Sequence, residues 1–502
     1  MAKITITDSG QTTTLNEANI PETPDDGLQR ISTVYFAKKV VTQNGSNLAF
    51  SKIDSLNNQG QDFDRILGQT VYLIIETSNM RALEIDAVVK PSTNTLTGNT
   101  DSLSLMKFNP QGAAGSEYVT STLLTAEVGN FDALNNRDGS HAHYTNLETS
   151  HADKAIIKLQ LRPSTAATFN TWATNLGTNT GNLEIIVERH DKQACAFRTS
   201  TEEINGAETF LNSDAVGRFR VVNRNLYEVY ARVFLARTGN RNTYTDAPYN
   251  FLPLNGAVRK RISKIDNPNS DQVCYYYYDQ HDNEMLIATC DKTIVMGRNN
   301  GRQIGAVPPN AIRRENAPAG GNAQFNHIYP NSIVTTGNHR NGATARSFPG
   351  TNRIVRYDAS GTDVPLIRMP NSLNINRNNV IIAYGFSNTQ RRFCKPECFA
   401  GFIGVLAQYC LAGVNSTGMC FGDATSYPSL AHPNGDSVDT SYLANQGNQQ
   451  NLLNAFVDWN FTQVIAGATQ KKWLLNAHSY KADHNDHLHS GDFDSTSIHS
   501  II

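Results

Sequence analysis

The stretch HSYKADHNDHLHSGDF, residues 478–493, decides how the C-terminal part of this 502-residue chain folds. His487 and His489 flank Leu488, and alternate side chains of an extended strand point to the same face. The two imidazoles are therefore expected side by side on one short strand. Of the 13 histidines in the chain, six lie in the last 71 residues, a clustering that indicates a local role for them.

A second stretch, SYPSLAHPNGDSVDTSYL at residues 426–443, supplies complementary residue types. It contains His432 and Asp439 with six residues between them, and the turn residues that follow His432 can return the chain so that Asp439 lies beside it. Zinc prefers imidazole nitrogen and carboxylate oxygen, and a catalytic zinc site uses three protein ligands and one water. Such a site activates the water and polarises a carbonyl group.

The elements between and before these stretches predict an α+β domain over residues 351–502. Val380–Tyr384 is a short apolar run typical of a strand. Pro396–Val414 begins with a proline near the first turn and repeats apolar residues at helical spacing, which predicts a helix. Asn448–Val464 has one apolar face and predicts a second helix.

The pattern H-x6-D followed by D-H-x-H resembles the zinc peptidases grouped around lysostaphin-like, D-Ala-D-Ala-cleaving and hedgehog-like folds. It is most similar to that of the penicillin-insensitive murein endopeptidases. The resemblance is strong over residues 425–495 and looser over 350–502. It implies a small antiparallel sheet, peptidoglycan as the substrate, and a zinc ion held by His432, Asp439 and His489.

The resemblance does not decide whether the general base is an acidic residue or a histidine. Carboxypeptidases and phage endolysins of this group have an acid three positions before the last ligand, which corresponds to Asp486. Murein endopeptidases have histidines two and five positions before it, which correspond to His487 and His484. Strand alternation turns Asp486 away from His487 unless Asp486 lies at the joint between loop and strand. An upstream arginine of the family corresponds to Arg391 or Arg392.

The first half of the chain predicts a β-rich structure. We expect a flexible arm over residues 1–30, one or two β-sandwich-like modules over 31–240, and a linker with a β-hairpin over 241–350. Four β-branched or aromatic runs bounded by turn residues support the sandwich prediction; they are Thr70–Glu76, Ala155–Leu161, Leu183–Glu188 and Leu226–Leu235.

Two further groups of residues allow more than one interpretation. Cys274 and Cys290 flank the predicted hairpin, and they are either bonded across it or two unbonded strand cysteines. His141, His143 and His151 form a second histidine cluster, but no carboxylate lies nearby at a matching spacing. We interpret that cluster as loop residues without a metal.

The net charge, the lack of long apolar runs and the polar N-terminus limit the kinds of partner that we expect for this protein. The net charge of -2 gives no basic surface for nucleic acid, and no apolar run is long enough for a membrane span. The polar N-terminus has no pattern of a secretory signal. We therefore expect synthesis in the cytoplasm and delivery or release to the bacterial cell wall, for example as an effector or cargo of a contractile, phage-like injection apparatus.

The sequence thus predicts a zinc-dependent peptidoglycan peptidase of the murein endopeptidase or D,D-carboxypeptidase type. It hydrolyses an amide next to a D-amino acid in cross-links or stems. The alternative is a non-catalytic β-rich binding or structural component with a vestigial metal site. The long β-rich first half, with its many Asn and Thr residues, is the observation behind this alternative.

Overall fold

The structure is a computed structural model, and its coverage of the chain is interrupted at several places. It describes residues 3–8, 11–16, 27–42, 45–53, 64–112, 117–135, 141–198, 203–211, 219–231, 236–237, 244–245, 260–279, 283–304, 313–314, 333–335, 344–347, 354–377, 380–387 and 389–502.

The N-terminal part contains sixteen strands and two helices within these ranges. They are β1 (Lys3–Asp8), β2 (Gln11–Asn16), β3 (Arg30–Val41), β4 (Leu48–Lys52), β5 (Asp64–Ile66), β6 (Thr70–Ser78), β7 (Glu84–Pro91), β8 (Leu105–Phe108), β9 (Tyr118–Ser121), β10 (Leu124–Glu127), α1 (Leu147–Ser150), β11 (Lys154–Gln160), α2 (Ala166–Leu176), β12 (Thr180–Arg189), β13 (Cys195–Arg198), β14 (Glu203–Ala207), β15 (Thr209–Leu211) and β16 (Arg220–Val222).

Two sheets of the N-terminal part share one hydrophobic core. One sheet has the strand order β10-β7-β12-β16-β5 with β15 beside β12, and the other has the order β14-β13-β3-β6-β11-β8-β9 with β4 beside β3. Alternate apolar residues of β6, β7, β11 and β12 are buried in this common core, together with one face of α2. This arrangement is that of a β-sandwich, in which inward-facing residues alternate with outward-facing ones.

The middle of the chain forms twelve strands within the described residues. They are β17 (Asn225–Ala231), β18 (Ala236–Arg237), β19 (Tyr244–Thr245), β20 (Lys260–Ile265), β21 (Gln272–Tyr278), β22 (Glu284–Arg298), β23 (Arg302–Ile304), β24 (Arg313–Arg314), β25 (Ile333–Thr335), β26 (Thr344–Ser347), β27 (Ile354–Tyr357) and β28 (Ala359–Arg368).

In the part of the C-terminal region that the structure describes, nine further strands and two long helices are present. They are β29 (Ser372–Arg377), β30 (Val380–Phe386), β31 (Phe393–Cys394), α3 (Pro396–Tyr409), β32 (Asn415–Gly418), β33 (Val438–Ser441), α4 (Gln446–Asp458), β34 (Phe461–Gly467), β35 (Ser479–Lys481), β36 (His487–Phe493) and β37 (His499–Ser500).

A seven-stranded sheet lies between the two large cores of the protein. Its order is β31-β28-β22-β21-β17-β20-β37, so strands from the predicted linker region occupy its middle. Tyr276 and Tyr278 of β21 pack in the sandwich core, whereas Tyr275 and Tyr277 pack in the C-terminal core. Because successive strand residues face opposite sides, this one strand contributes to both cores.

The same alternation explains why Cys274 and Cys290 are unbonded. β21 and β22 pair antiparallel, but Cys274 lies opposite Thr289 and Cys290 lies opposite Val273. Cys274 is buried in the sandwich core and Cys290 in the C-terminal core, so the two thiols lie on opposite faces of the sheet. Both are free cysteines.

The C-terminal sheet has seven strands in the order β29-β30-β32-β33-β36-β34-β35. It is mixed and not purely antiparallel, because β30 runs parallel to β32 and β34 parallel to β35. Parallel neighbours need a long crossover connection, and α3 lies in the connection between β30 and β32. The strands around the predicted site, β32, β33, β36 and β34, pair antiparallel.

Both predicted helices form, although each ends earlier than the pattern suggested. α3 is buried on nearly all sides, and its Gly404 is in close contact with Trp459, since an added Cβ would lie 2.5 Å from that ring. α4 ends at Asp458, and Asn460 follows with φ of 64°, a conformation that asparagine tolerates and that does not continue a helix. The next residues, predicted as helix, form β34.

The observed architecture is β-rich, as the sequence predicts. Among the described residues, no helix has the length and apolar character needed to cross a membrane.

Candidate metal centre

Strand pairing brings Asp439 and His489 together. β33 and β36 pair antiparallel with Asp439 directly opposite His489. The Asp439 Oδ1 atom lies 2.7 Å from His489 Nδ1. The His489 side chain is 2% exposed, and the Asp439 side chain is 13% exposed. A one-residue shift of either strand would turn its side chain to the other face, so this register is what creates the pair.

Gly491 provides room for the His489 ring. An added Cβ at Gly491 would lie 2.3 Å from His489 Nε2, closer than any real contact of that kind. The sequence contains this glycine two residues after the histidine, on the same face of β36. A larger residue at this position would displace the imidazole.

The third predicted ligand, His432, approaches from a tight turn. His432 itself has φ of 71°, and the 3-10 turn Pro433–Gly435 follows. The centroids of the His432 and His489 rings are 3.8 Å apart, with 32° between their planes. Burial, with the neighbouring His489, lowers the pKa of His432 to about 3. A neutral imidazole is the form that binds a metal.

Gly435 explains why the turn can lie so close to the start of α3. Its φ is 73°, and an added Cβ would lie 2.6 Å from the Cα atom of Cys394. Its carbonyl oxygen accepts a hydrogen bond of 2.7 Å from Lys395 N. Only glycine fits this combination of left-handed backbone and close approach.

Arg391 contacts the candidate ligand Asp439, whereas Arg392 does not. Arg391 Nη1 lies 3.5 Å from Asp439 Oδ2, and Arg391 Nη2 donates to the carbonyl of Thr417. Arg392 instead donates to Asn371 Oδ1 and to the carbonyl of Thr389. The sequence did not distinguish between the two arginines as the upstream arginine of the site. In the structure, Arg391 is the one that contacts Asp439.

The environment favours the ionised form of Asp439. Burial alone would raise the pKa of this carboxyl group. The hydrogen bond from His489 and the nearby charge of Arg391 act against burial, and together with the other neighbouring groups they hold the pKa of Asp439 well below its usual range. An ionised carboxylate is the form that can bind a divalent cation.

The candidate base residues form a second group beside this cluster. Asp486 lies at the joint just before β36, and its Oδ1 atom is 2.7 Å from His487 Nδ1. Burial would lower the pKa of His487, but the hydrogen bond with Asp486 and the charge of Asp439 outweigh it, so the pKa is raised. The carboxylate of Asp486 thus contacts His487 directly.

His484 completes the group from the 3-10 turn Ala482–His484. Its ring centroid is 4.8 Å from that of His487 and 5.8 Å from that of His489. The carbonyl of His484 accepts a hydrogen bond from Tyr442 Oη, which in turn accepts one from Gly467 N. Burial lowers the pKa of His484, although its hydrogen bond with Asp483 opposes the shift.

The chemistry of the three predicted ligands fits zinc. Two imidazoles and one carboxylate are a known catalytic donor set. The Nε2 atom of His489 is buried without a hydrogen-bond partner among the described residues, and a buried polar atom of this kind is costly unless something binds it.

Two of the three candidate ligands, Asp439 and His489, contact each other directly in the present arrangement. Among the described residues, no three His, Cys, Asp or Glu side chains already surround a point where a metal ion could sit. Two ligand atoms about 2.1 Å from a tetrahedral zinc ion are about 3.4 Å apart. The 2.7 Å contact of Asp439 with His489 is shorter, because it is a direct hydrogen bond between them.

A polar cavity of about 330 Å³ opens beside His432. One side of it comes from the two predicted site stretches, with Pro433, Asn434 and Asp436 from the first and Asp492 from the second. The other side comes from the end of β22 and the residues after it, Arg298, Asn299 and Asn300. The sequence contained no signal for these three residues, because they lie more than 130 positions before His432.

The other histidine cluster does not form a comparable site. His141 Nδ1 contacts Asn135 Oδ1, and His151 Nε2 contacts the carbonyl of Leu48. The rings of His141 and His151 thus each contact a protein group, and the absence of a metal at this cluster stays a prediction.

Comparisons of this chain with protein-family models, with curated protein sequences and with solved structures found no match.

Proposed function

We propose that this protein is a zinc-dependent peptidase that hydrolyses an amide bond next to a D-amino acid in bacterial peptidoglycan. The observation that carries the proposal is the convergence of His432, Asp439 and His489 from two separate stretches, with Asp439 and His489 in direct contact. These three side chains would hold the ion. When bound, zinc supplies a Lewis acid that polarises the scissile carbonyl and makes water a stronger acid.

Asp486 and His487 would together carry out the proton transfer of the reaction. Asp486 holds His487 through Nδ1, which leaves Nε2 as the atom that accepts or donates a proton. Asp486 thereby acts through His487, as the carboxylate of a catalytic triad acts through its histidine. His484 lies next to His487 and would contact the substrate carbonyl or the same proton path.

The position of Arg391 favours an internal bond over a terminal one. A carboxypeptidase needs a cation to bind the free carboxylate of its substrate. Arg391 is already in contact with Asp439 and with the carbonyl of Thr417, so it orients a ligand and is not available to a substrate terminus. We therefore favour an endopeptidase that cuts cross-links or stems.

The β-sandwich would serve as a targeting or docking module, and delivery by an injection apparatus would bring the enzyme to the wall. This context is independent of the chemistry of the site.

Digestion of purified sacculi tests the proposal. Wild-type protein should release muropeptides that mass spectrometry identifies as products of amide cleavage. The variants His432→Ala and His489→Ala should release none above background, whereas the control His499→Ala, an exposed histidine on β37, should match wild type. Equal product profiles for all four proteins would refute the enzyme proposal.

A further inference from the structure

The side-chain amide of Asn434 binds both backbone groups of one residue of β22. Its Oδ1 atom accepts a hydrogen bond of 2.7 Å from Arg298 N, and its Nδ2 atom donates one of 2.9 Å to Arg298 O. A single side chain thus replaces the two hydrogen bonds that a neighbouring strand would form. It ties the turn after His432 to a strand that the sequence interpretation assigned to a different region.

The same two-point pairing recurs elsewhere in the described residues. Asn146 pairs in this way with Leu48, Asn283 with Val41, and Gln450 with Leu475, with distances between 2.7 and 3.0 Å. Of these amides, only Asn434 lies in a candidate ligand motif. The other three provide controls, because replacing one of them removes an equivalent pair of hydrogen bonds away from the site.

The His432 ring depends on this turn for its orientation. Among the described residues its imidazole has a tilted ring contact with His489 but no hydrogen bond. Its position is therefore set mainly by its backbone, which has positive φ at His432, Asn434 and Gly435. Such a conformation costs free energy for residues other than glycine and persists only where surrounding contacts enforce it.

Contacts from three parts of the chain enforce the turn. The Asn434 amide binds β22, the backbone N–H of Asn434 donates to Ala424 O at 2.9 Å, and Lys395 N donates to Gly435 O. Next to the first of these, Gly301 N donates to Leu430 O at 2.6 Å. The end of β22 is itself paired with β28 through Arg298 and Ala359, so the backbone that Asn434 binds is held in place by a sheet.

We propose that Asn434 is a positioning residue, which fixes the His432 imidazole toward Asp439 and His489 by binding the backbone of Arg298. This inference rests on the proposed zinc site. It extends the proposal, because the end of β22, which lies outside the C-terminal sheet, then contributes to the metal affinity of the site. Residues that orient a metal ligand typically change affinity or activity by about 10- to 100-fold when they are replaced.

Zinc affinity, measured by competition with a chromogenic chelator on the full chain, tests the inference. Asn434→Gly keeps the positive φ but removes both hydrogen bonds, and it should weaken zinc binding by about 10- to 100-fold. Asn434→Asp keeps the acceptor for Arg298 N and should have an intermediate effect. Gln450→Ala removes the equivalent pair with Leu475 and should stay within about twofold of wild type.

The outcomes separate this inference from the proposed function. A wild-type protein without stoichiometric zinc binding would remove the proposed function and this inference with it. Normal zinc binding by wild type and an unchanged affinity in Asn434→Gly would overturn the inference alone, as would an equal loss in Gln450→Ala. If Asn434→Gly fails to fold by circular dichroism, wild-type affinity in Asn434→Asp would overturn it.

Discussion

Asp439 and His489 lie directly opposite each other on β33 and β36, and 2.7 Å separates Asp439 Oδ1 from His489 Nδ1. These residues are fifty positions apart in the chain, and the pairing of two antiparallel strands joins them. Arg391 contacts the other oxygen of the same carboxylate. The carboxylate is therefore held between an imidazole and a guanidinium group, and its orientation is fixed before any ligand binds.

Replacing this carboxylate should abolish metal binding while the fold remains. We predict that Asp439→Asn weakens zinc affinity by more than about 100-fold, because the amide is a neutral and poorer ligand than the carboxylate. Equilibrium dialysis followed by elemental analysis measures the effect. The control is Asp271→Asn, an exposed carboxylate just before β21 and away from the site, which should bind zinc as wild type does. Full zinc occupancy in Asp439→Asn would show that Asp439 is not a ligand.

Gly491→Ala should have a similar effect by a steric route. The new methyl group would lie 2.3 Å from His489 Nε2, so the ring must leave its present position, in which it contacts Asp439. We expect weaker zinc binding and a loss of about 1–3 kcal/mol in the free energy of unfolding, as is usual for overpacking. The matched control is Gly385→Ala, whose methyl group would meet only Asn415 Oδ1, at 3.6 Å. If Gly491→Ala binds zinc normally, His489 is not positioned as described.

Asp486 and His487 should behave as one unit. We predict that Asp486→Asn and His487→Ala each lower kcat by about 10²- to 10⁴-fold, the usual range for general acid–base catalysis, with zinc content unchanged. Because Asp486 contacts His487 directly, the double variant should be no slower than His487→Ala alone. If the fold-reductions in kcat of the two single variants multiply in the double variant, Asp486 acts on the substrate independently of His487.

The ion pair between Arg346 and Asp423 should make stability depend on pH. Arg346 Nη2 lies 3.0 Å from Asp423 Oδ2, and the Arg346 side chain is 2% exposed. Burial would raise the pKa of Asp423, but the charge of Arg346 and the hydrogen bonds from Thr425 outweigh it and lower the pKa. A carboxyl group with a lowered pKa in the folded state stabilises the protein above its unfolded pKa of about 3.9. That stabilisation is lost as pH falls through the lowered value.

Thermal unfolding at several pH values measures this effect. At pH 7, Asp423→Asn should lower stability by about 2 kcal/mol, since a charged hydrogen-bonded partner of Arg346 is removed. The difference in Tm between wild type and variant should shrink as pH falls below about 4. A difference in Tm that stays constant down to the lowest pH would contradict the assigned ionisation.

Thiol titration should find all seven cysteines reduced and protected. All seven are buried and unbonded, and burial raises the pKa of several of them, including Cys290 to about 12. Buried thiols with raised pKa values react slowly with disulfide reagents. We predict little reaction of the native protein and seven equivalents in denaturant. Five equivalents would reveal one disulfide that the structure does not contain.

The sequence predicted those parts of the site that depend on local periodicity. The alternation of His487 and His489 and the spacing of His432 and Asp439 were sufficient to identify the cluster, because strand geometry fixes which neighbours share a face. The predicted strand at residues 380–384 and the start of α3 at Pro396 were also confirmed. Each of these predictions rests on contacts within a few residues.

The remaining features depend on contacts between distant parts of the chain. Nothing near Arg298 indicates that its backbone receives the amide of Asn434, because the two residues meet only after β22 and the His432 turn have packed together. The separation of Cys274 from Cys290 required the register of β21 against β22, which includes a bulge between Tyr275 and Tyr276. A bulge shifts the residues that face each other, and sequence patterns seldom reveal it.

Anomalous scattering at the zinc edge, from crystals of the zinc-loaded protein, tests the central claim most directly. The account predicts one strong peak about 2.0–2.2 Å from donor atoms of His432, Asp439 and His489, and no peak there in crystals of His489→Ala. No peak in wild type, or a peak bound elsewhere while these three side chains remain in contact with one another, would contradict it.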